Sequence, residues 1–213
     1  MTTLTLLKSR IADDISRTDL TSQIANSITD AIQYYQNRRF FFNETRAETF
    51  DTVADQSTYS SSDDAAIPTF AKLDAVFVQD SATDEWELDR YDPMRMELLL
   101  DGASPASGRP YAYAYYEERF RLYPVPDVST YDIRPVGVIE RIAPVGDADT
   151  DNVWMTHGFE MIRCRAKYYL FAHVIRQMDK AILFRDMAND AMLELRKQGT
   201  DKTRLGRIEA MQF

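Results

Sequence analysis

The chain is short of the residues that build most chemical sites. Its 213 residues include one cysteine, Cys164, and two histidines, His157 and His173. A single cysteine forbids an internal disulfide, which excludes the small disulfide-framed secreted scaffolds and makes a reducing compartment the natural setting. One cysteine and two histidines also cannot complete a four-ligand Cys/His zinc site. The seven glycines form neither GxxxxGK(S/T) nor GxGxxG, so no phosphate-cradling loop is encoded. Positive charge is scarce as well: 25 Lys and Arg stand against 34 Asp and Glu, a net charge of −9. Gripping nucleic acid by its phosphates takes a cationic surplus. No apolar run approaches the ~20 residues of a membrane helix; the densest covers residues 168–175. The start, Met1, Thr2, Thr3, Leu4, lacks the basic and apolar regions of a signal peptide. The expectation is a soluble protein, intracellular when made, with no membrane partner.

What is present is a core-forming chain, 45% apolar, enough to exclude wholesale disorder. Leu4, Leu7, Ile11 and Ile15 fall on one face of a 3.6-residue period and predict a first helix. Thr18 or Asp19 is suited to cap a second, whose stripe is Leu20, Ile24, Ile28, Ala31, Ile32 and Tyr35. Arg38 and Arg39 follow near its end, where cations suit the helix dipole. Phe40, Phe41 and Phe42 then close it as an aromatic anchor into a core or against a neighbour.

Residues 45–62 predict a strand, a turn and a short strand. Residues 72–79 carry Leu73, Ala75 and Phe77 on one parity and Val76 and Val78 on the other, which predicts a strand covered on both faces. A turn at residues 81–84 returns the chain as a partner strand over 86–91. Pro93 opens a short helix that Asp101 and Gly102 end. Tyr111, Tyr113 and Tyr115 alternate with Ala112, Ala114 and Tyr116 in a strand, Glu117 and Glu118 make the turn, and residues 120–123 return. In the strand over 130–142, Pro135 and Gly137 point to an edge position or a bulge. After an acidic loop over 144–152, two further helical stripes follow. One is Phe159, Ile162, Ala166, Tyr169 or Leu170, and His173. The other is Phe184, Met187, Ala188, Ala191, Met192 and Leu195. Gly199 is the expected stop before a polar tail.

The fold class read from this pattern is α+β, with N-terminal and C-terminal amphipathic helices forming a bundle and a central antiparallel β region. No linker divides it, so residues 1–213 are expected to form one domain: helices over 1–44, a mainly β region over 45–143, helices over 153–198 and a tail over 199–213.

None of the candidate chemical groups forms a site. His157 fits a helix start, and His173 borders a packed face. Cys164, between Arg163 and Arg165, reads as a small packing residue. The alternating acids Asp147, Asp149 and Asp151 resemble a calcium loop, but Asn152 and Gly158 occupy the positions where an EF-hand needs glycine and glutamate. No catalytic, cofactor-binding or metal-binding residue is assigned, and no cofactor is expected. The informative residues are aromatic: 12 Tyr and 11 Phe. A base-stacking role for the tyrosine row fits the acidic balance poorly; packing on the core or a neighbouring subunit fits it better. The wide apolar arc of the last helix, widened by Met178, Ala181, Ile182 and Leu183, fits burial in a hairpin of its own chain and burial against another chain equally. The interface candidates are Phe40, Phe41, Phe42, Tyr111, Tyr113, Tyr115, Phe184, Met187 and Met192.

Taken in order, these pieces carry a resemblance. The second helix with its exit through Arg38, Arg39, Phe40, Phe41, Phe42, Asn43 and Glu44 comes first. Gly108, Arg109, Pro110, the tyrosine strand and Leu122, Tyr123, Pro124, Val125, Pro126, Asp127 come next. Asn152, Val153 and Trp154 precede the final helices. The chain resembles the head-to-tail adaptor (connector) proteins of tailed double-stranded-DNA bacteriophages. That resemblance implies a structural virion protein, present in the host cytoplasm during assembly. It implies a homo-oligomeric ring, commonly of twelve subunits, that docks beneath the portal, contacts a tail or nozzle protein and lets DNA pass through its channel without specific binding. It also implies that the C-terminal tail orders on the portal. The family has no catalytic residues to carry over. The alternatives are another tail-completion or nozzle-adjacent virion subunit, or a cell-wall hydrolase.

Overall fold

The computed structural model describes residues 3–81, 84–102, 104–141, 143, 146 and 152–203. The middle of the expected turn at 81–84 (residues 82–83), most of the acidic loop over 144–152 and the tail beyond 203 lie outside them; Ser81 and Asp84, at the ends of that turn, pair with each other. The chain is α+β and divides into two compact units: residues 1–42 with 141–213, and residues 43–140.

The first unit is helical. α1 (Leu4–Ile15) and α2 (Thr21–Gln36) come from the N-terminal segment, and α4 (Val153–His157), α5 (Phe159–Tyr169), a π-helical turn (Leu170–Ile175) and α6 (Met178–Thr203) from the C-terminal one. The predicted stripes are the buried ones: Leu4, Leu7 and Ile11 on α1, and Ile24, Ile28, Ala31, Ile32 and Tyr35 on α2. They share one core with Trp154, Phe159, Ile162, Ala166, Leu170, Met192 and Leu195. α5 packs on α1, α2 and α6. Thr3 caps α1 by accepting from the Leu6 N–H at 3.2 Å.

Three local expectations change here. Neither Thr18 nor Asp19 caps α2, whose first residue follows Leu20 without a side-chain cap. The Asp19 carboxylate is instead held by the Arg17 guanidinium at 2.7 and 2.6 Å. His157 sits at the end of α4 rather than at a helix start; the cap is Asn152, whose Oδ1 accepts from the Trp154 N–H at 3.0 Å. Gly199 does not stop the last helix, which runs on to Thr203. Phe41 packs 3.7 Å from where a Cβ of Gly199 would stand, and Lys202 Nζ lies 3.6 Å over the same ring, so side-chain packing carries the helix through the glycine.

An ion cluster ties α1 to α5. Asp14 accepts from Arg163 at 2.9 Å on each oxygen and from Lys167 at 2.9 Å. The Lys167 side chain is only 6% exposed. Burial pushes the Asp14 carboxyl up, but the hydrogen bonds and charges of Lys167 and Arg163 outweigh it and hold the group below its ordinary value. A depressed folded-state value means that the stabilisation is complete above the unfolded-state value, ~3.9, and is lost as pH falls through the folded one. Asp14→Asn is expected to cost ~1–3 kcal/mol at neutral pH, the range for charged hydrogen bonds. Urea unfolding checks this: the penalty should shrink as pH is taken below ~4. A penalty constant across that range would show that Asp14 acts by packing alone.

The second unit holds two sheets. One pairs β1 (Glu44–Thr45) and β2 (Phe50–Asp51) with β9 (Asp132–Ile139), then β4 (Phe70–Ser81), then β5 (Asp84–Glu87). The other runs in the order β3 (Thr58–Tyr59), β8 (Arg119–Tyr123), β7 (Ala112–Tyr116) and β6 (Asp89–Arg90). All pairs are antiparallel except β6 with β7. Phe50, Leu73, Val76, Val78 and Ile133 of the first sheet share a core with Tyr59, Tyr113, Phe120 and Leu122 of the second. On the other face of β7, Ala112 and Ala114 pack on Met96 and Leu100 of α3 (Pro93–Leu100).

β4 is not covered equally on both faces. An extra residue at Asp74 shifts its register against β9, and such a bulge reverses the parity beyond it. Leu73, Val76 and Val78 therefore share the buried face, while Ala75 and Phe77 are half-buried on the other. The return strand over 86–91 is also divided. Trp86 pairs with Val78 in one sheet, whereas Asp89 and Arg90 pair with Ala112 and Tyr113 in the other. Leu88, buried between them, donates its N–H to the Val76 carbonyl at 2.8 Å.

β9 is an interior strand, not an edge, and the bulge, the other expectation for this stretch, is the one on β4 that faces Gly137 and Val136. Pro135 is tolerated because its outer neighbours β1 and β2 pair only at residues 137–138 and 132–133, leaving no ladder bond for it to break. Gly137 is demanded by close approach: a Cβ there would overlap the Lys72 carbonyl oxygen and stand 3.0 Å from Leu73 Cα. Both obstacles are backbone. Gly137→Ala is expected to lower stability by ~1–3 kcal/mol, as overpacking does, through separation of β9 from β4. A urea midpoint equal to that of the wild type would refute this.

Candidate interaction surface

The groups that could do chemistry are dispersed or spent on packing. Among the described residues no three His, Cys, Asp or Glu side chains come together to hold a metal. Cys164 is buried, and burial pushes its thiol up, away from the thiolate a nucleophile needs. The His157 ring stacks on Phe42 at 5.6 Å and meets Phe41 edge-on at 5.0 Å. Burial, and then the Lys202 charge, hold it below the ordinary histidine value, which favours the neutral ring. His173 is exposed, on the π-helical turn. A groove of about 300 Å³ between α1 and α2, lined by residues including Thr5, Lys8, Ser9 and Thr21, gathers no acid, histidine or cysteine.

The aromatic candidates separate by depth. Phe40 and Phe42 are buried and stack 5.3 Å apart, with Trp154 edge-on to both; Phe41 is half-buried between His157 and Lys202. Tyr113 is 1% exposed. Tyr115 is half-buried, and its hydroxyl accepts the Phe70 N–H at 3.1 Å. Tyr111, just before β7, is 46% exposed beside Tyr91 and Tyr123. Phe184 stacks on Phe171 at 5.3 Å, Met192 is buried, and Met187 is exposed. Phe40, Phe42, Tyr113 and Met192 are thus covered by their own chain.

Among the exposed large apolar residues, two groups lie on helices, one in each unit. On α6, Ala181, Ala188, Met192 and Leu195 are buried in the hairpin with α5. At 3.6 residues per turn, Met178, Ile182 and Leu193 fall on one side of that stripe and Leu183 and Met187 on the other; all five are exposed. On α3, Met94 and Leu98 are exposed at 66% and 77%. Of these exposed residues only Met187 is among the interface candidates; residues 94, 98, 178, 182, 183 and 193 are not, because an apolar residue on a helix carries no sign of which face its neighbours will cover. No helix among the described residues is long and apolar enough to cross a membrane.

None of the curated proteins compared with the chain matches it. The SU10 adaptor protein family matches residues 1–209, a span that covers the second unit and all but the last four residues of the first. The chain belongs to the SU10 adaptor protein family, a family of structural head–tail adaptors of the bacteriophage virion rather than of enzymes.

Proposed function

We propose that this protein is the subunit of a ring that joins the portal to the tail and continues the DNA channel, without catalysis. The observation that carries the reading, beyond family membership, is the exposed apolar surface of α6 flanking its buried stripe. A closed ring is built from heterologous contacts, which need two different patches on every subunit. α6 supplies one. α3, through Met94 and Leu98 with the nearby tyrosines Tyr91 and Tyr111, supplies the other. On this reading the terminal helices are the bundle of one adaptor subunit to which both units belong, and its C-terminal part meets the portal. The net charge of −9 suits a channel that repels the DNA backbone and lets it slide.

The test is co-sedimentation of the purified chain with portal protein, followed by electron microscopy of the product. Rings seated on the portal are expected. A chain that stays monomeric with portal present, or that clears a peptidoglycan suspension, would overturn the reading.

A further inference from the structure

Arg165 stands out among the charged groups of the helical unit. It lies on α5 and is 8% exposed, yet among the described residues its guanidinium meets aromatic rings and no carboxylate. It lies 3.6 Å from the centre of the Tyr34 ring, 4.8 Å from Tyr168 and 5.1 Å from Tyr169. Its Nε–H is buried without an acceptor, and so is the hydroxyl of neighbouring Tyr35. A buried cation is costly unless a counter-charge and hydrogen bonds replace its water. Ring faces recover only part of that cost. The rest of the unit handles its buried charge differently: Lys167, two residues on, is tied to Asp14.

We propose that Arg165, walled by Tyr34, Tyr168 and Tyr169, is a docking site for a carboxylate side chain presented by a protein partner. Tyr34 is the outer wall, 38% exposed. Arg38 holds it by donating to its hydroxyl at 2.8 Å while lying over the ring at 4.8 Å. Rotation of Tyr34 uncovers the guanidinium. The inner wall precedes the π-helical turn over Leu170–Ile175, where the exposed His173 ring stacks on Tyr169 at 6.1 Å. π-helical turns are rare and concentrate at functional positions. A carboxylate matches the planar donor fork of arginine, and its oxygens can also accept from the tyrosine hydroxyls at the rim. Tyrosine and arginine in a nearly desolvated pocket is the composition of interface hot spots. A duplex backbone fits less well, because phosphate recognition relies on an extended array of cations, and here two guanidiniums, Arg165 and Arg38, lie against the Tyr34 ring on a chain of net charge −9.

The test is an NMR titration of the free full-length chain with a capped glutamate, N-acetyl-glutamate methylamide, and separately with a short DNA duplex at the same salt. The signal followed is the Arg165 Nε–H, assigned through its contacts with the Tyr34 ring. Capped glutamate is expected to move this signal saturably, with the Tyr34 ring signals moving alongside it; in Arg165→Lys, where only the ring signals are followed, binding is expected to weaken ~10-fold or more, the effect of one charge-assisted fork. Tyr34→Phe, which keeps the ring wall, should stay within a few-fold. No saturable movement in the wild type overturns the proposal, and so does a response to duplex but not to glutamate. The wild-type titration decides even if the lysine variant does not fold. Because it uses the free chain, its outcome is separate from that of the ring assignment.

Discussion

Trp154→Ala is expected to cost ~3–5 kcal/mol, the range for removing a large buried aromatic side chain, and with marginal stability that is enough to unfold much of the helical unit. Trp154 is fully buried and belongs to the core that joins α1, α2 and α5. Its ring meets Phe42 edge-on at 5.2 Å and Phe40 at 6.3 Å. Its indole N–H donates to the Arg141 carbonyl at 3.1 Å, so the alanine leaves a cavity and strips a half-buried acceptor. Trp154→Phe separates the two effects. It keeps most of the packing and loses the donor, so a smaller cost of ~1–2 kcal/mol is expected. Urea unfolding followed by circular dichroism reads both. If the alanine variant unfolded at the wild-type midpoint, the aromatic anchor around Trp154 would not be what holds the N-terminal helices to the C-terminal ones.

Leu183→Asp combined with Met187→Asp is expected to abolish assembly on the portal and leave the monomer folded. Leu183 is 57% and Met187 43% exposed, so neither substitution opens the chain's own core. At an interface each side chain would contribute ~1.5–3 kcal/mol of apolar burial, and an aspartate in its place adds the cost of desolvating a charge. Two such losses at every subunit contact exceed the ~1.4 kcal/mol that a tenfold change in affinity requires, and a ring repeats them around its circumference. Electron microscopy should show bare portals, while the free chain keeps the wild-type urea midpoint. The companion variant Ile182→Asp with Leu193→Asp tests the opposite side of α6. Full assembly by both double variants would remove this helix from the interface.

The parts of the fold that were legible are those set by near neighbours in sequence. The stripes of α1 and α2 could be read residue by residue, because a 3.6-residue period shows which side chains share a face whatever they later pack against. α3 was legible from Pro93, and the β7–β8 turn from its position: Glu117 and Glu118 both take positive φ, 51° and 59°, as a two-residue hairpin turn requires. Interface prediction was less complete. Aromatic residues announce that they will be buried, but not by what, and Phe40, Phe42 and Tyr113 were claimed by their own chain.

The sequence by itself determined the amphipathic helical ends, the strand-rich centre and the absence of any assembled motif for phosphate, zinc or calcium, because composition and local periodicity are properties of the chain before it folds. It also carried the ordered features that mark the family. The tertiary structure alone decided which sheet each short strand joined, how the bulge at Asp74 placed Leu73 beside Val76, why β9 could be interior despite Pro135, and that α6 passes through Gly199. It also decided that Arg165 would lie among tyrosines, without an acid among the described residues. Each of these depends on a partner distant in sequence, and chain pairing and packing settle such partners only when the whole unit closes.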